Sequence, residues 1–139
     1  ATMTLMHTFV GHKAQINCLE IAVGAPFVAS GGRDGMVNVW HYIEGRHLDE
    51  IDAESPVNSV LFVPDTVSLI IGTEDGIRVY HLPSKTFVDK FTATDLDGKR
   101  RVSAKIGCTS LCLSKQNHSI IYAGFTDGVI RVLSIVNKA

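Results

Sequence analysis

The chain has 139 residues, 45% of them hydrophobic and 19% charged, with a net charge of -1 and a pI near 6.6. That length buries one sizeable core, and the near-neutral balance offers no bulk attraction to nucleic acid. No apolar run approaches the roughly 18 residues of a membrane span, and Met3 to Val10 is too short and too polar for a signal peptide.

Taken in order, Leu5 to Val10 reads as a short strand ahead of Gly11-His12, and Ile16 to Val23 alternates well enough to be the next. Phe27 to Ser30 and Met36 to His41 follow, joined by the turn Arg33-Asp34-Gly35, which makes them a hairpin. Glu44-Gly45-Arg46 turns the chain into His47 to Ile51, a more polar run suited to the outside of a sheet. The order then repeats: Val57 to Val63, a Pro64-Asp65 turn, Val67 to Ile71, the turn Glu74-Asp75-Gly76, Ile77 to Tyr80, and an outer strand over Thr86 to Phe91. Thr92 to Gly107 has no period and mixed charge, and loops of that length in a compact fold are usually functional or disordered. A third unit follows, with Cys108 to Leu113, Ser119 to Ala123 and Val129 to Ile135, the last two joined through Thr126-Asp127-Gly128. No segment requires a helix.

Trp40, Tyr80 and Leu133 close equivalent strands, 40 and 53 residues apart, and the three Asp-Gly turns fall in register before them. In the first unit four side chains stand at offsets that let them hydrogen-bond in series once the strands lie side by side. The Trp40 indole donates to the Ser30 hydroxyl, the hydroxyl to the His12 imidazole, and the imidazole to the Asp34 carboxylate. The later units keep Asp75 and Asp127 but put Ile71 and Ala123 in the place of Ser30. A Gly-His opening followed about 28 residues later by a Trp-ended strand resembles the WD40 repeat, a four-stranded propeller blade. The expectation is an all-β fold of three four-stranded blades over about 4–42, 46–82 and 85–135, with the loop 92–107 inserted. The phase leaves Leu5 to Val10 without a blade of its own and the last blade without its outer strand. Propellers close with about four to eight blades, so three leave two apolar faces and two strand edges open. Closure requires the blades of a longer protein, the favoured reading, or a second copy of the chain in a six-bladed ring.

Beyond the generic repeat, the chain resembles the receptor for activated C-kinase, the G-protein-β-like scaffold family of the small ribosomal subunit. The likeness lies in Cys18 through Trp40 with Glu44-Gly45-Arg46-His47-Leu48, in Cys108-Thr109-Ser110-Leu111, and in Tyr122 through Asp127-Gly128 and Ile130-Arg131-Val132. The long insertion at Thr92 to Gly107 falls where the family carries one. The resemblance implies the carboxy-terminal three blades of a seven-bladed ring, and a cytoplasmic, non-enzymatic scaffold that binds ribosomal proteins and kinases and regulates translation, with no cofactor. It places the family's main ribosomal RNA contacts in blades outside this chain, and its kinase-docking segment on Ser55 to Phe62. Trp40-His41, Tyr80-His81 and Leu133-Ser134 depart from the Trp-Asp signature and mark a divergent member. A G-protein β subunit, or another WD40 assembly factor, is the alternative class, and a self-closing oligomer a further one.

The order His12, Ser30, Asp34 invites comparison with a catalytic triad, but a serine fenced by Trp40 has no room for substrate or oxyanion donors, and the tetrad reading is preferred. The remaining histidines show no metal-ligand spacing. Cys18, Cys108 and Cys112 stand in apolar runs and read as buried free thiols. Lys99, Arg100, Arg101 and Lys105 form a basic patch on the inserted loop, suited to an acidic or phosphorylated partner. Arg33, Arg78 and Arg131 recur near the turns, where they either line one rim of the ring or keep the strand surfaces soluble.

Overall fold

A computed structural model describes residues 1–64, 67–93 and 105–135. Among these residues, eleven strands form three antiparallel sheets in which each strand pairs with its neighbour in sequence. Sheet 1 holds β1 (Ile16–Ile21), β2 (Phe27–Gly32), β3 (Met36–His41) and β4 (Arg46–Asp52), and sheet 2 holds β5 (Val57–Phe62), β6 (Ser68–Thr73), β7 (Gly76–His81) and β8 (Thr86–Phe91). Sheet 3 holds β9 (Cys108–Leu113), β10 (Ile120–Phe125) and β11 (Ile130–Ser134) and shows no fourth strand among the described residues.

The hairpins follow from turn chemistry. Gly35 and Gly128 take the left-handed conformation, at φ 82° and 79°, that a side chain would resist. The preceding Asp34 and Asp127 carboxylates each accept a backbone N–H two residues on, from Met36 and Val129. The innermost pair of every sheet carries an irregularity at the same place, beside Ile16, Val57 and Cys108, the first residues of β1, β5 and β9.

Sheet 2 lies between the other two. Ala29, Val37, Val39 and Ile51 of sheet 1 pack on Val57, Val60, Leu69 and Ile71 of sheet 2. Leu61, Ile70 and Ile77, on the opposite face of sheet 2, pack on Cys108, Ile121, Ala123 and Phe125 of sheet 3. Alternation thus gives sheet 2 two apolar faces, both covered. The far faces of sheets 1 and 3 are open: Leu19 and Ile21 on one, Tyr122, Ile130 and Val132 on the other, are exposed.

Two expectations are corrected. Leu5 to Val10 is not a strand, because a strand needs a neighbouring ladder and no sheet among the described residues pairs with this segment. Cys112 is an exposed thiol and Cys18 a half-buried one, with only Cys108 buried; Cys112 points from β9 to the open face of sheet 3.

Candidate functional site

The four side chains of the first unit converge on one face of sheet 1. Ser30 and Trp40 are presented by β2 and β3, whose register sets Val28 opposite Trp40 and Ser30 opposite Asn38. The Trp40 Nε1–H donates to Ser30 Oγ at 3.1 Å, and Ser30 Oγ lies 2.7 Å from His12 Nε2. The last link is looser: His12 Nδ1 stands 3.6 Å from Asp34 Oδ1, longer than a hydrogen bond. The Asp34 oxygens are instead engaged by the Met36 and Lys13 N–H groups, at 3.1 and 3.2 Å. Burial pushes the Asp34 carboxyl up, but those two amides and the nearby His12 outweigh it and hold the carboxyl below its ordinary value.

Sequence reasoning missed an extension of this network. His47 Nε2 lies 2.8 Å from Asn38 Oδ1, and its ring meets Trp40 edge-on at 4.7 Å. Phe9 stacks on the other side of the indole at 5.4 Å. The signal was present in Asn38, a polar residue in an otherwise apolar strand.

Asp75 and Asp127 occupy the equivalent turns of sheets 2 and 3, but their partners differ from that of Asp34. Arg131 clamps Asp127 with two hydrogen bonds, at 3.2 and 2.9 Å, and lies 4.6 Å over the Phe125 ring. The hydrogen bonds from Arg131 hold the Asp127 carboxyl below its ordinary value. Arg78 donates to Thr73 Oγ1 at 2.6 Å and reaches to 3.9 Å from Asp75. Both arginines are almost wholly buried, at 5% and 8% exposure, so neither lines a rim nor solubilises a surface; Arg33 alone of the three is exposed. The recurrence of arginine two residues before the end of the third strand was the available signal.

Lys105 carries an ion pair to Asp75 at 2.5 Å, which ties the return of the inserted loop to the turn of sheet 2. Lys99, Arg100 and Arg101 lie outside the described residues. Ser55 to Phe62 is the stem and body of β5, with Ser55, Val57, Val60, Leu61 and Phe62 buried between the flanking sheets. Among the described residues no cluster of His, Cys, Asp and Glu has metal-site geometry, and no helix is long and apolar enough to cross a membrane.

Antiparallel sheets packed face to face, each turned by an Asp-Gly hairpin and the first carrying the Trp-Ser-His-Asp series, are the features of the WD40 repeat, and a model of the WD domain, G-beta repeat, matches residues 3–41. The chain is similar to the proteins named small ribosomal subunit protein RACK1. The one from Brassica napus is 36% identical over 140 residues, and the one from Schizosaccharomyces pombe is 31% identical over 134; these matches take in 94% and 96% of this chain. The cross-pathway control WD-repeat protein 2 of Flammulina velutipes is 31% identical over 129 residues, or 91% of the chain. The chain spans 40% to 42% of the length of these relatives.

Proposed function

We propose that this chain is the ring segment of a non-enzymatic, cytoplasmic protein-binding scaffold that associates with the small ribosomal subunit and carries kinase signalling to translation. The observation that carries this reading is the likeness, over 94% of the chain, to a protein named for that subunit. His12, Ser30, Asp34 and Trp40 then serve the first blade as a buried structural tetrad, and Asp75 and Asp127 serve as blade turns. A catalytic role for Ser30 is disfavoured by its crowding: its hydroxyl is shared between His12 and Trp40 and is 2% exposed.

Partner contacts belong to the loops. Ser55 to Phe62 is a poor kinase-docking segment, since engaging it means prising apart two sheets. Lys99, Arg100, Arg101 and Lys105 are the better candidates for an acidic or phosphorylated protein partner, and ribosomal RNA is left to blades outside this chain. The test is sedimentation of the tagged chain through a gradient of cell extract. It should travel with the small subunits, and Lys99, Arg100 and Arg101 changed together to Ala should reduce the bound fraction. A chain that stays with free protein at the top of the gradient refutes the ribosomal reading.

A further inference from the structure

Sheets 1 and 2 each carry a turn between their third and fourth strands, and the two turns are built alike. The ladders pair His41 with Arg46 and His81 with Thr86, which leaves Tyr42-Ile43-Glu44-Gly45 in one turn and Leu82-Pro83-Ser84-Lys85 in the other. In both, Nδ1 of the histidine at the base accepts the N–H of the third turn residue, from Glu44 at 3.1 Å and from Ser84 at 3.3 Å. The fourth turn residue is left-handed in both, Gly45 at φ 67° and Lys85 at φ 54°. Ser84 therefore stands where Glu44 stands, and Thr86 where Arg46 stands.

In the first turn that place holds an anion. Glu44 Oε2 accepts from Arg46 Nε at 3.1 Å, and both side chains are more than half exposed. In the second turn it holds a hydroxyl, 2.7 Å from His81 Nδ1 and 2.7 Å from Thr86 Oγ1. Pro83, Ser84, Lys85 and Thr86 are all exposed. Other hydroxyls of the chain brace the backbone: Ser59 and Ser114 accept the N–H groups of Leu111 and Asn117, and Thr126 accepts that of Gly107. The Ser84 hydroxyl is bonded instead to two side chains at the rim of the sheet. The second turn is also the looser one. Gly45 N–H donates to the His41 carbonyl at 2.8 Å, whereas Lys85 N–H reaches the Leu82 carbonyl at 3.3 Å, and a lysine resists the left-handed conformation that glycine takes freely. A kinase draws its substrate serine out of the surrounding structure, and this turn resists that least of the two.

We propose that Ser84 is a phosphorylation site for a serine/threonine protein kinase, with ATP as the phosphoryl donor. Ser84 Oγ attacks the γ-phosphorus, the bond from that phosphorus to the β,γ-bridging oxygen breaks, ADP leaves, and the hydroxyl proton passes to the carboxylate base of the kinase. The phosphoryl group brings a charge of about -1.5 to -2 at pH 7 to the place where the first turn carries the Glu44 carboxylate. Lys85 supplies a cation beside it and the Thr86 hydroxyl a donor, so the second turn acquires the paired anion that the first has built in. Sheet 2 is covered on both faces, so this rim is the same whether or not further blades flank the chain.

The test is incubation of the whole chain with magnesium ATP and a cell extract whose kinase activity is verified in the same tube on a basic serine peptide, followed by mass spectrometry of the chain and its fragments. One phosphate should appear on Ser84; Ser84→Ala should abolish incorporation into this turn, and Thr86→Ala should leave it in place. As a second measurement that needs no kinase, Ser84→Glu should unfold at the same urea concentration as the parent chain, since the first turn carries Glu44 there. A phosphorylated control peptide with no phosphate on Ser84 overturns the proposal, as do phosphate on Thr86 in its stead and a Ser84→Glu chain that fails to fold. Failure here leaves the ribosomal reading intact, since sedimentation with the small subunit is read without phosphorylation.

Discussion

Replacing Trp40 by Ala tests whether the tetrad organises the first blade. The indole is 6% exposed, flanked by Phe9 and His47 at 5.4 and 4.7 Å, and hydrogen-bonded to Ser30. Truncating a buried aromatic of this kind costs about 3 to 5 kcal/mol through transfer and cavity terms, of which ~1 kcal/mol is the hydrogen bond. Trp40→Phe keeps most of the ring and loses the N–H, so it should fall near the hydrogen-bond value. Leu133, the equivalent residue in sheet 3, is half-buried and makes only apolar contacts, which puts Leu133→Ala at about 2 kcal/mol, the low end for such changes. Urea unfolding followed by far-ultraviolet circular dichroism, at one fixed chain concentration, reads these as midpoint shifts. With a slope of about 2 kcal/mol/M, Trp40→Ala should lower the midpoint by roughly 1.5 to 2.5 M. A Trp40→Ala loss no larger than that of Leu133→Ala would refute the tetrad as the organising feature.

The remaining predictions concern protons and thiols. Asp34 and Asp127 have carboxyls held below their ordinary value in the fold. Their contribution is therefore present above about pH 4 and is lost as pH falls through the lowered values; Asp127→Asn should flatten that acid limb in urea midpoints taken against pH, and an unchanged limb would count against the Arg131 clamp. At the other end, burial and then the Asp49 carboxylate push the Tyr80 phenol up to about 12, and burial pushes the Cys18 and Cys108 thiols up to about 11. The unfolded chain releases these protons first, so stability should fall as pH rises past about 8.5 for the thiols and about 10 for the phenol. Tyr80→Phe should remove the upper part of that slope. At pH 8, an aromatic disulfide reagent should titrate Cys112 at once and reach Cys18 and Cys108 only as the chain opens; three fast thiols would contradict the packing of β1 on β5 and of β9 on β6.

The strands were legible because their period and their turns agree. Met36 to His41, Thr86 to Phe91 and Cys108 to Leu113 were read with the bounds that the structure gives, since each is an alternating or apolar run closed by Gly, Pro or polar turn residues. Leu5 to Val10 is a short run rich in apolar residues that reads as a strand, yet a strand exists only with a neighbouring ladder, and a local reading carries no information about whether that ladder is present. Cys112 was misjudged for a related reason. It sits where Leu61 sits in sheet 2, which is 5% exposed, so its position in the strand is a core position and only the open face of sheet 3 makes it a surface one. The pairings of Arg78 and Arg131 were out of reach of local reading, because whether an arginine on a strand points into water or into the junction depends on the neighbouring sheet.

Those arginines explain how the repeat loses its signature without losing its fold. Each Asp-Gly turn carries a carboxylate that needs a partner. In the first unit the partners are the Met36 and Lys13 N–H groups, with the His12 imidazole, held by Ser30, standing 3.6 Å away. In the other two units a residue of the third strand supplies the cation: Arg131 for Asp127, and Arg78, with Lys105, for Asp75. Register places both arginines opposite the site of the lost serine, Ile71 facing Arg78 and Ala123 facing Arg131, as Ser30 faces Asn38. Where the third strand carries that arginine, the unit lacks the histidine, serine and tryptophan of the first. Those positions then revert to the apolar packing of Ile71, Tyr80, Ala123 and Leu133, and Glu54-Ser55 can stand where the first unit has Gly11-His12. Asp34 and Asp127 shape their hairpins through the Met36 and Val129 N–H groups, and each of the three turn carboxylates has a partner that its own surroundings supply.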